Sequence, residues 1–126
     1  MLLENNYYQV ESGEIGLGNG HFHLRLLPDC EVYRGHFPGH PVCPGVCNIE
    51  TIRECAMRLL GKQLAIRLIR RCRLTAVASP AICLELDLFI DACLENGDWL
   101  IEARMEDHEK LYVSFKGIMA ETGEKA

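Results

Sequence analysis

From Ile82 to Lys116 apolar and polar residues alternate through three successive segments, and that pattern limits the chain to a small set of sheet architectures. Ile82, Leu84, Leu86 and Leu88 alternate with Cys83, Glu85 and Asp87. Trp99, Ile101, Ala103 and Met105 alternate with Glu102, Arg104 and Glu106, and Leu111, Val113 and Phe115 alternate with Tyr112, Ser114 and Lys116. A period of two sends successive side chains to opposite faces, so each segment reads as a half-buried strand. Between the first two lies Glu95-Asn96-Gly97-Asp98, whose Asn-Gly pair tolerates the positive φ angles of a tight hairpin. The polar stretch from Asp107 to Lys110 supplies the second turn. Three strands joined this way make a β-meander, and its apolar face needs a cover.

One segment offers that cover. Val46, Ile49, Ile52, Ala56, Leu59 and Leu60 recur at intervals of three and four, the spacing of one helix face. Pro44 suits the first turn, and Gly61 or the residues just after it suit the end. The helix predicted between them has about 16 residues and spans roughly 24 Å at 1.5 Å per residue. Cys47 and Cys55 extend its apolar surface, which points to a largely buried helix. His21–Leu27 alternates like the later segments, and Tyr7–Val10 and residues 63–77 are further strand candidates. Gly16, Gly18, Asn19 and Gly20 mark a turn. The predicted fold is α+β, an antiparallel sheet packed on one buried helix, in a single domain over residues 1–126.

Charge and composition exclude several functions. A net charge of −5 lacks the basic footprint of a nucleic-acid binder. Leu74–Leu84 is the nearest approach to an apolar run, and it is short and carries Thr75, Ser79 and Pro80, so no membrane helix is expected. Met1-Leu2-Leu3 is followed at once by Glu4, unlike a secretory leader. The seven cysteines then fit free thiols in a reducing cytoplasm. Residues 53–73 carry seven basic residues against one acid, while both flanks are acidic. Such a run reads first as a solvated helix face and the outer face of a strand, and second as a dock for an acidic partner.

The stretch Tyr33-Arg34-Gly35-His36-Phe37-Pro38-Gly39-His40-Pro41-Val42-Cys43-Pro44-Gly45-Val46-Cys47-Asn48-Ile49-Glu50 carries the chemistry. It is a stiff Pro/Gly loop with a histidine, leading into a helix N-terminus. Backbone N–H groups at Gly45 and Val46, with the positive end of the helix dipole behind them, suit a carbonyl oxygen that gains negative charge. Histidine moves protons near neutral pH. Glu50, one turn into the helix, is a carboxyl that burial would keep partly protonated, as an acid requires. A base, an acid and an oxyanion donor together suit proton abstraction beside a carbonyl.

Gly-His-Phe-Pro-Gly-x-Pro-Val-x-Pro-Gly-Val from Gly35 to Val46, with a glutamate fourteen residues after the histidine, resembles the bacterial 3-hydroxyacyl-acyl-carrier-protein dehydratases. The resemblance implies the hot-dog fold, a sheet wrapped around one long central helix. It implies that His36 removes the Cα proton of a 3-hydroxyacyl thioester, or positions the water that does so. Glu50 would then protonate the departing C3 hydroxyl, and the Gly45 N–H, joined by Val46, would polarise the thioester carbonyl. Phe37 would line the acyl tunnel. The resemblance further implies a homodimer or higher oligomer with the site between protomers, and a substrate borne by the phosphopantetheine arm of an acidic acyl carrier protein. It implies no metal and no organic cofactor. Glutamate at position 50, where an isomerising subgroup has aspartate, points to plain dehydration.

Two departures stand out. Relatives usually carry glutamine four residues after the acid, where this chain has Glu54, and a second carboxylate there would raise the pKa of one of the pair by repulsion. Their later Arg-x-Pro-Val-x-Pro-Gly-Asp segment survives within Arg73–Ala81 only as Pro80, and the link from helix to next strand is short, which suggests a specialised pathway. His21, His23, Cys30, His36, His40, Cys43 and Cys47 crowd together without a Cys-x-x-Cys pair, which disfavours a zinc site. Cys43, Cys47 and Cys55 read instead as small buried apolar residues. A hot-dog acyl thioesterase and a non-catalytic acyl-binding or partner subunit share the fold. The His-loop motif weighs against the first, and the presence of both His36 and Glu50 against the second.

Overall fold

The computed structural model describes residues 3–27, 45–74 and 85–122, with Gly45 and Val46 described by their backbone alone. His36, Phe37 and the rest of the loop up to Pro44 lie outside the described residues, as do Cys30, Cys43, Pro80 and residues 75–84. The elements run β1 (Tyr8–Ile15), β2 (Asn19–Leu26), α1 (Gly45–Leu60), β3 (Leu64–Leu74), β4 (Glu85–Glu95), β5 (Asp98–Glu106) and β6 (Leu111–Glu121). The six strands form one sheet in the order β1-β2-β4-β5-β6-β3. All its pairings are antiparallel. The strand after the helix therefore crosses to the far edge and pairs with the last strand, while β4, β5 and β6 form the expected meander.

Local chemistry sets the turns. Asn96 and Gly97 take φ of 54° and 87°, so the β4–β5 hairpin closes through the two-residue turn that their positive φ values permit. Gly61 takes φ of 68° directly after the helix, and its N–H donates to the Met57 carbonyl at 2.8 Å. That left-handed cap satisfies a carbonyl that the last helical turn would leave open.

The alternation in the sequence separates the two sheet faces. Phe22, Leu24 and Leu26 of β2, Leu86, Leu88 and Ile90 of β4, and Ile101 and Met105 of β5 are all buried. They join Ile52, Cys55, Ala56 and Leu59 of α1 in one apolar core. The helix is buried on more than one side, since Cys47, Asn48, Thr51 and Glu54 are also inaccessible. Tyr7 and Tyr8, ahead of the first strand's exposed stretch, lie in the same core. The opposite face carries ions: His23 Nδ1 meets Asp87 at 2.9 Å and His23 Nε2 meets Glu85 at 2.6 Å.

The expectation of one long helix is corrected in its length. At 16 residues α1 spans roughly 24 Å, whereas each of the 11-residue strands β3, β4 and β6 spans roughly 37 Å. The helix is a short cover lying against β2, β3 and β4. The basic segment is largely neutralised by neighbouring elements. Arg58 pairs with Glu4 at 2.6 Å, Lys62 with Glu121 at 3.7 Å, Arg67 with Asp98 at 2.7 Å and Arg70 with Glu95 at 2.8 Å. Exposed pairs of this kind contribute about 0–1 kcal/mol each. Cys55, Cys72 and Cys93 are free thiols, and burial pushes the Cys55 thiol up to about 12.

Candidate active site

Helix α1 begins at Gly45, the residue expected to supply an oxyanion-binding amide. The amides of a first helical turn have no acceptor within the helix, and the dipole adds positive potential there. No acidic side chain stands in that turn to compete for them. Of the expected catalytic pair, His36 and Glu50, only Glu50 falls among the described residues. His36 and Phe37 do not, so no distance joins His36 to Glu50.

Glu50 is half-buried, and its surroundings are those of an ion pair. Arg53, one turn on, donates from Nε to Oε1 at 2.9 Å and from Nη2 to Oε2 at 2.6 Å. Nη1 of the same guanidinium donates to the Leu64 carbonyl at the start of β3, at 2.6 Å. The Arg53 guanidinium holds the Glu50 carboxyl below the usual carboxylate range, against a smaller opposing effect of burial, and Arg53 itself moves up. The expectation of a carboxyl kept partly protonated by burial is thus not met within the single chain. The physical reason is a fork of two N–H donors aimed at both oxygens.

Glu54, one turn beyond, is only 6% exposed. Its Oε2 accepts the Leu3 N–H at 2.8 Å, and its Oε1 accepts the Glu4 N–H at 3.0 Å and the Tyr8 hydroxyl at 3.0 Å. Burial raises its pKa, its shared hydrogen bond with Glu50 adds to that rise, and the Leu3 amide opposes it. Burial first, and then the hydrogen bond shared with Glu50, raise Glu54, while the same bond helps to lower Glu50. Nearby, the Tyr7 hydroxyl donates to Asn48 Oδ1 at 3.1 Å, and the Thr51 hydroxyl donates to the Cys47 carbonyl at 2.8 Å. These bonds pin residues 3–8 across the helix. The strap was not foreseen from sequence, because a buried acid looks like any other glutamate until its distant donors are known. Arg53 was also missed, although its three-residue spacing from Glu50 is a local signal.

A cleft of about 490 Å³ opens elsewhere, lined in part by Glu14, His21, Phe89, Asp91 and Arg104, and Glu50 is not among its lining residues. Among the described residues, no three His, Cys, Asp or Glu side chains are grouped to hold a metal ion. Nor is any described helix long and apolar enough to cross a membrane.

Comparison with known proteins fixes the class. The fold matches a chain of the dehydratase heterocomplex ApeI:P from Xenorhabdus doucetiae, with a TM-score of 0.72 and 20% identity over 88% of this chain and 96% of that one. An uncharacterised protein from Erwinia carotovora subsp. atroseptica matches with a TM-score of 0.58 and 17% identity, over 87% and 89% of the two chains. The architecture is the hot-dog fold, an antiparallel sheet with one helix packed against it. The family description "ApeI-like: ApeI dehydratase" matches residues 16–116, and the chain belongs to this family. It is also 33% identical over 85 residues to the 3-hydroxyacyl-[acyl-carrier-protein] dehydratase FabZ of Lactobacillus helveticus (strain DPC 4571). That match takes in 61% of this chain and 57% of the relative, so the chain spans little more than half of the relative's length.

Proposed function

We propose that this chain dehydrates a 3-hydroxyacyl thioester to the trans-2-enoyl thioester, with His36 and Glu50 moving the protons. The observation that carries the reading is the Gly35–Val46 motif with Glu50 behind it, lying wholly inside the stretch that matches the dehydratase family. His36 takes the Cα proton, or orients the water that takes it. The electrons of that C–H bond form the Cα–Cβ double bond as the Cβ–O bond breaks. Glu50 gives its proton to the departing hydroxyl, which leaves as water. The Gly45 amide, with Val46 beside it, polarises the thioester carbonyl and acidifies Cα. Phe37 lines the acyl tunnel.

The substrate arrives on an acyl carrier protein, a partner suggested by the name of the FabZ relative. The working unit is at least a dimer, with His36 of one protomer facing Glu50 of the other. The heterocomplex named for the ApeI:P structure adds the option that the second protomer is a related chain. A reducing, cytoplasmic setting accords with the free thiols of Cys55, Cys72 and Cys93.

The test incubates wild type and His36→Ala with 3-hydroxyacyl thioesters of several chain lengths, on carrier protein and on a pantetheine mimic, and reads products by mass spectrometry. Loss of one water with wild type alone is expected. Release of free acid would indicate a thioesterase, and an unchanged thioester in every case would indicate a non-catalytic subunit.

A further inference from the structure

Glu50 has a companion on its own helix that the dehydration chemistry above leaves unused. Arg53 grips both carboxylate oxygens, at 2.9 and 2.6 Å, and is half-buried beside them. The grip is anchored away from the helix. Nη1 holds the Leu64 carbonyl at 2.6 Å, on the first residue of β3, and also lies 3.5 Å from Met57 Sδ. A guanidinium tied at three points to two elements has little freedom left, so the carboxylate it holds is oriented as well as charged.

We propose that Arg53 is the positioning residue of Glu50, fixing its carboxylate from strand β3 and releasing it when the acid must carry a proton. This rests on the reading that Glu50 is the acid of the dehydration. An acid gripped at both oxygens has nothing to donate, because the fork stabilises its ionised form. Protonation makes the hydroxyl oxygen a poor acceptor and removes the charge, so it favours opening of an Arg53–Glu50 bond. The bond from Nη1 to Leu64 survives that opening, since it uses a different nitrogen, and the guanidinium keeps a seat while Glu50 turns toward substrate. The other groups acting on Glu50 are Glu54, through a shared hydrogen bond, and more weakly the chain's amino group. Arg53 outranks both, being the first cause of the lowered Glu50 pKa.

The test has two arms on the full chain. Carbon-13 NMR follows the Glu50 carboxyl through a pH titration in wild type, Arg53→Met and Arg53→Lys, with Glu50→Gln identifying the resonance. Thermal melting checks that each variant folds, and Arg53→Lys keeps the test alive should Arg53→Met fail to fold. The Glu50 midpoint is expected to rise in Arg53→Met and to stay partly lowered in Arg53→Lys, which keeps the charge without the fork. The second arm measures kcat/KM for dehydration against pH. Activity that needs protonated Glu50 falls as pH rises through its midpoint, so this alkaline limb moves to higher pH in Arg53→Met. An unmoved NMR midpoint overturns the proposal whether or not the protein turns substrate over. A moved midpoint with an unmoved limb overturns the positioning role in the reaction. A moved midpoint in a protein with no dehydration at all upholds the grip and sinks the dehydratase reading instead.

Discussion

Glu50 and Glu54 stand one turn apart on α1 and have been put to opposite uses. Glu50 is half-buried, faces a cation and is held ionised. Glu54 is nearly inaccessible, meets two backbone amides and a hydroxyl, and has its pKa raised by burial. Both pair with charge or hydrogen-bond donors, but the partners differ in kind. Arg53 meets Glu50 through a side chain, whereas the Leu3 and Glu4 amides are backbone and hold the chain's early residues against the helix. One carboxyl is the acid of the proposed reaction, and the other ties the chain's early residues to the helix.

The strongest way to break this contrast is to neutralise each acid without changing its shape. Glu50→Gln removes the proton donor of the proposed reaction and should lower kcat by about 10²–10⁴-fold, the range for a positioned general acid. Its melting temperature should change little, because a partly exposed pair like that with Arg53 is worth about 1 kcal/mol or less. If activity survives in Glu50→Gln, Glu50 is not the acid and the two glutamates are alike in being structural.

The reverse substitution tests the other half. Glu54→Ala leaves the Leu3 and Glu4 amides and the Tyr8 hydroxyl without their acceptor, and should cost about 3 kcal/mol in denaturant unfolding. Glu54→Gln should cost about 1 kcal/mol, since one amide oxygen still accepts while the NH₂ cannot. Kinetic constants per folded molecule should stay within a few-fold of wild type in Glu54→Gln. A large loss of kcat there, with stability intact, would move Glu54 into the chemistry.

How far the sequence reveals these roles depends on whether the deciding contact is local. The helix is legible because its apolar period and the Pro44 and Gly61 ends all lie within one stretch, and it runs from Gly45 to Leu60 as the spacing predicts. The Asn96-Gly97 hairpin is legible for the same reason. Strand β1 is underestimated, since Tyr7–Val10 suggests a short strand and pairing with β2 carries it on to Ile15 through residues that are mostly exposed and do not alternate. The place of β3 beside β6 is a long-range register that no window of sequence contains. The site divides along the same line. Glu50 and its neighbour Arg53 are a local pair, readable from spacing, while the donors to Glu54 lie 46–51 residues away. The Gly35–Pro44 loop is legible only as a motif, and its geometry lies outside the described residues.

A smaller effect separates the donors of Glu54 from one another. The Tyr8 hydroxyl donates to Oε1 at 3.0 Å and lies 3.9 Å from the Cys55 thiol, in a site where burial keeps both groups neutral. Tyr8→Phe removes one of three donors while preserving the ring in the core, so it should cost about 1.5 kcal/mol, where the ranges for hydrogen bonds to neutral and to charged acceptors meet. In the double variant with Glu54→Gln the cost of losing Tyr8's hydroxyl should shrink, as a double-mutant cycle would register. Additive costs would mean that Tyr8 acts through Cys55 or packing and not through Glu54.

The smallest effect is the dependence of stability on pH, and here the two glutamates must differ in sign. Glu50 has a folded pKa below its ordinary 4.5, so its stabilising effect is present above about pH 4.5 and fades as pH falls through the lowered value. Glu54 has a folded pKa above 4.5, so its effect is fullest below that pH and is lost as pH rises through the raised value. Melting temperatures measured in steps through this window should therefore respond oppositely to the two neutral substitutions. Glu50→Gln should melt relatively better at the acid end than at neutrality, because the ion pair it lacks is one that acid would have removed anyway. Glu54→Gln should lose ground at the acid end, because it forgoes the proton uptake that favours folding there. Each difference is expected to stay below about 1 kcal/mol, since the ion pair of Glu50 is partly open to water and the rise at Glu54 is opposed by its amide donors. Parallel pH profiles in the two variants would mean that the helix presents two equivalent carboxylates, and that the grip of Arg53 is too loose to tell them apart.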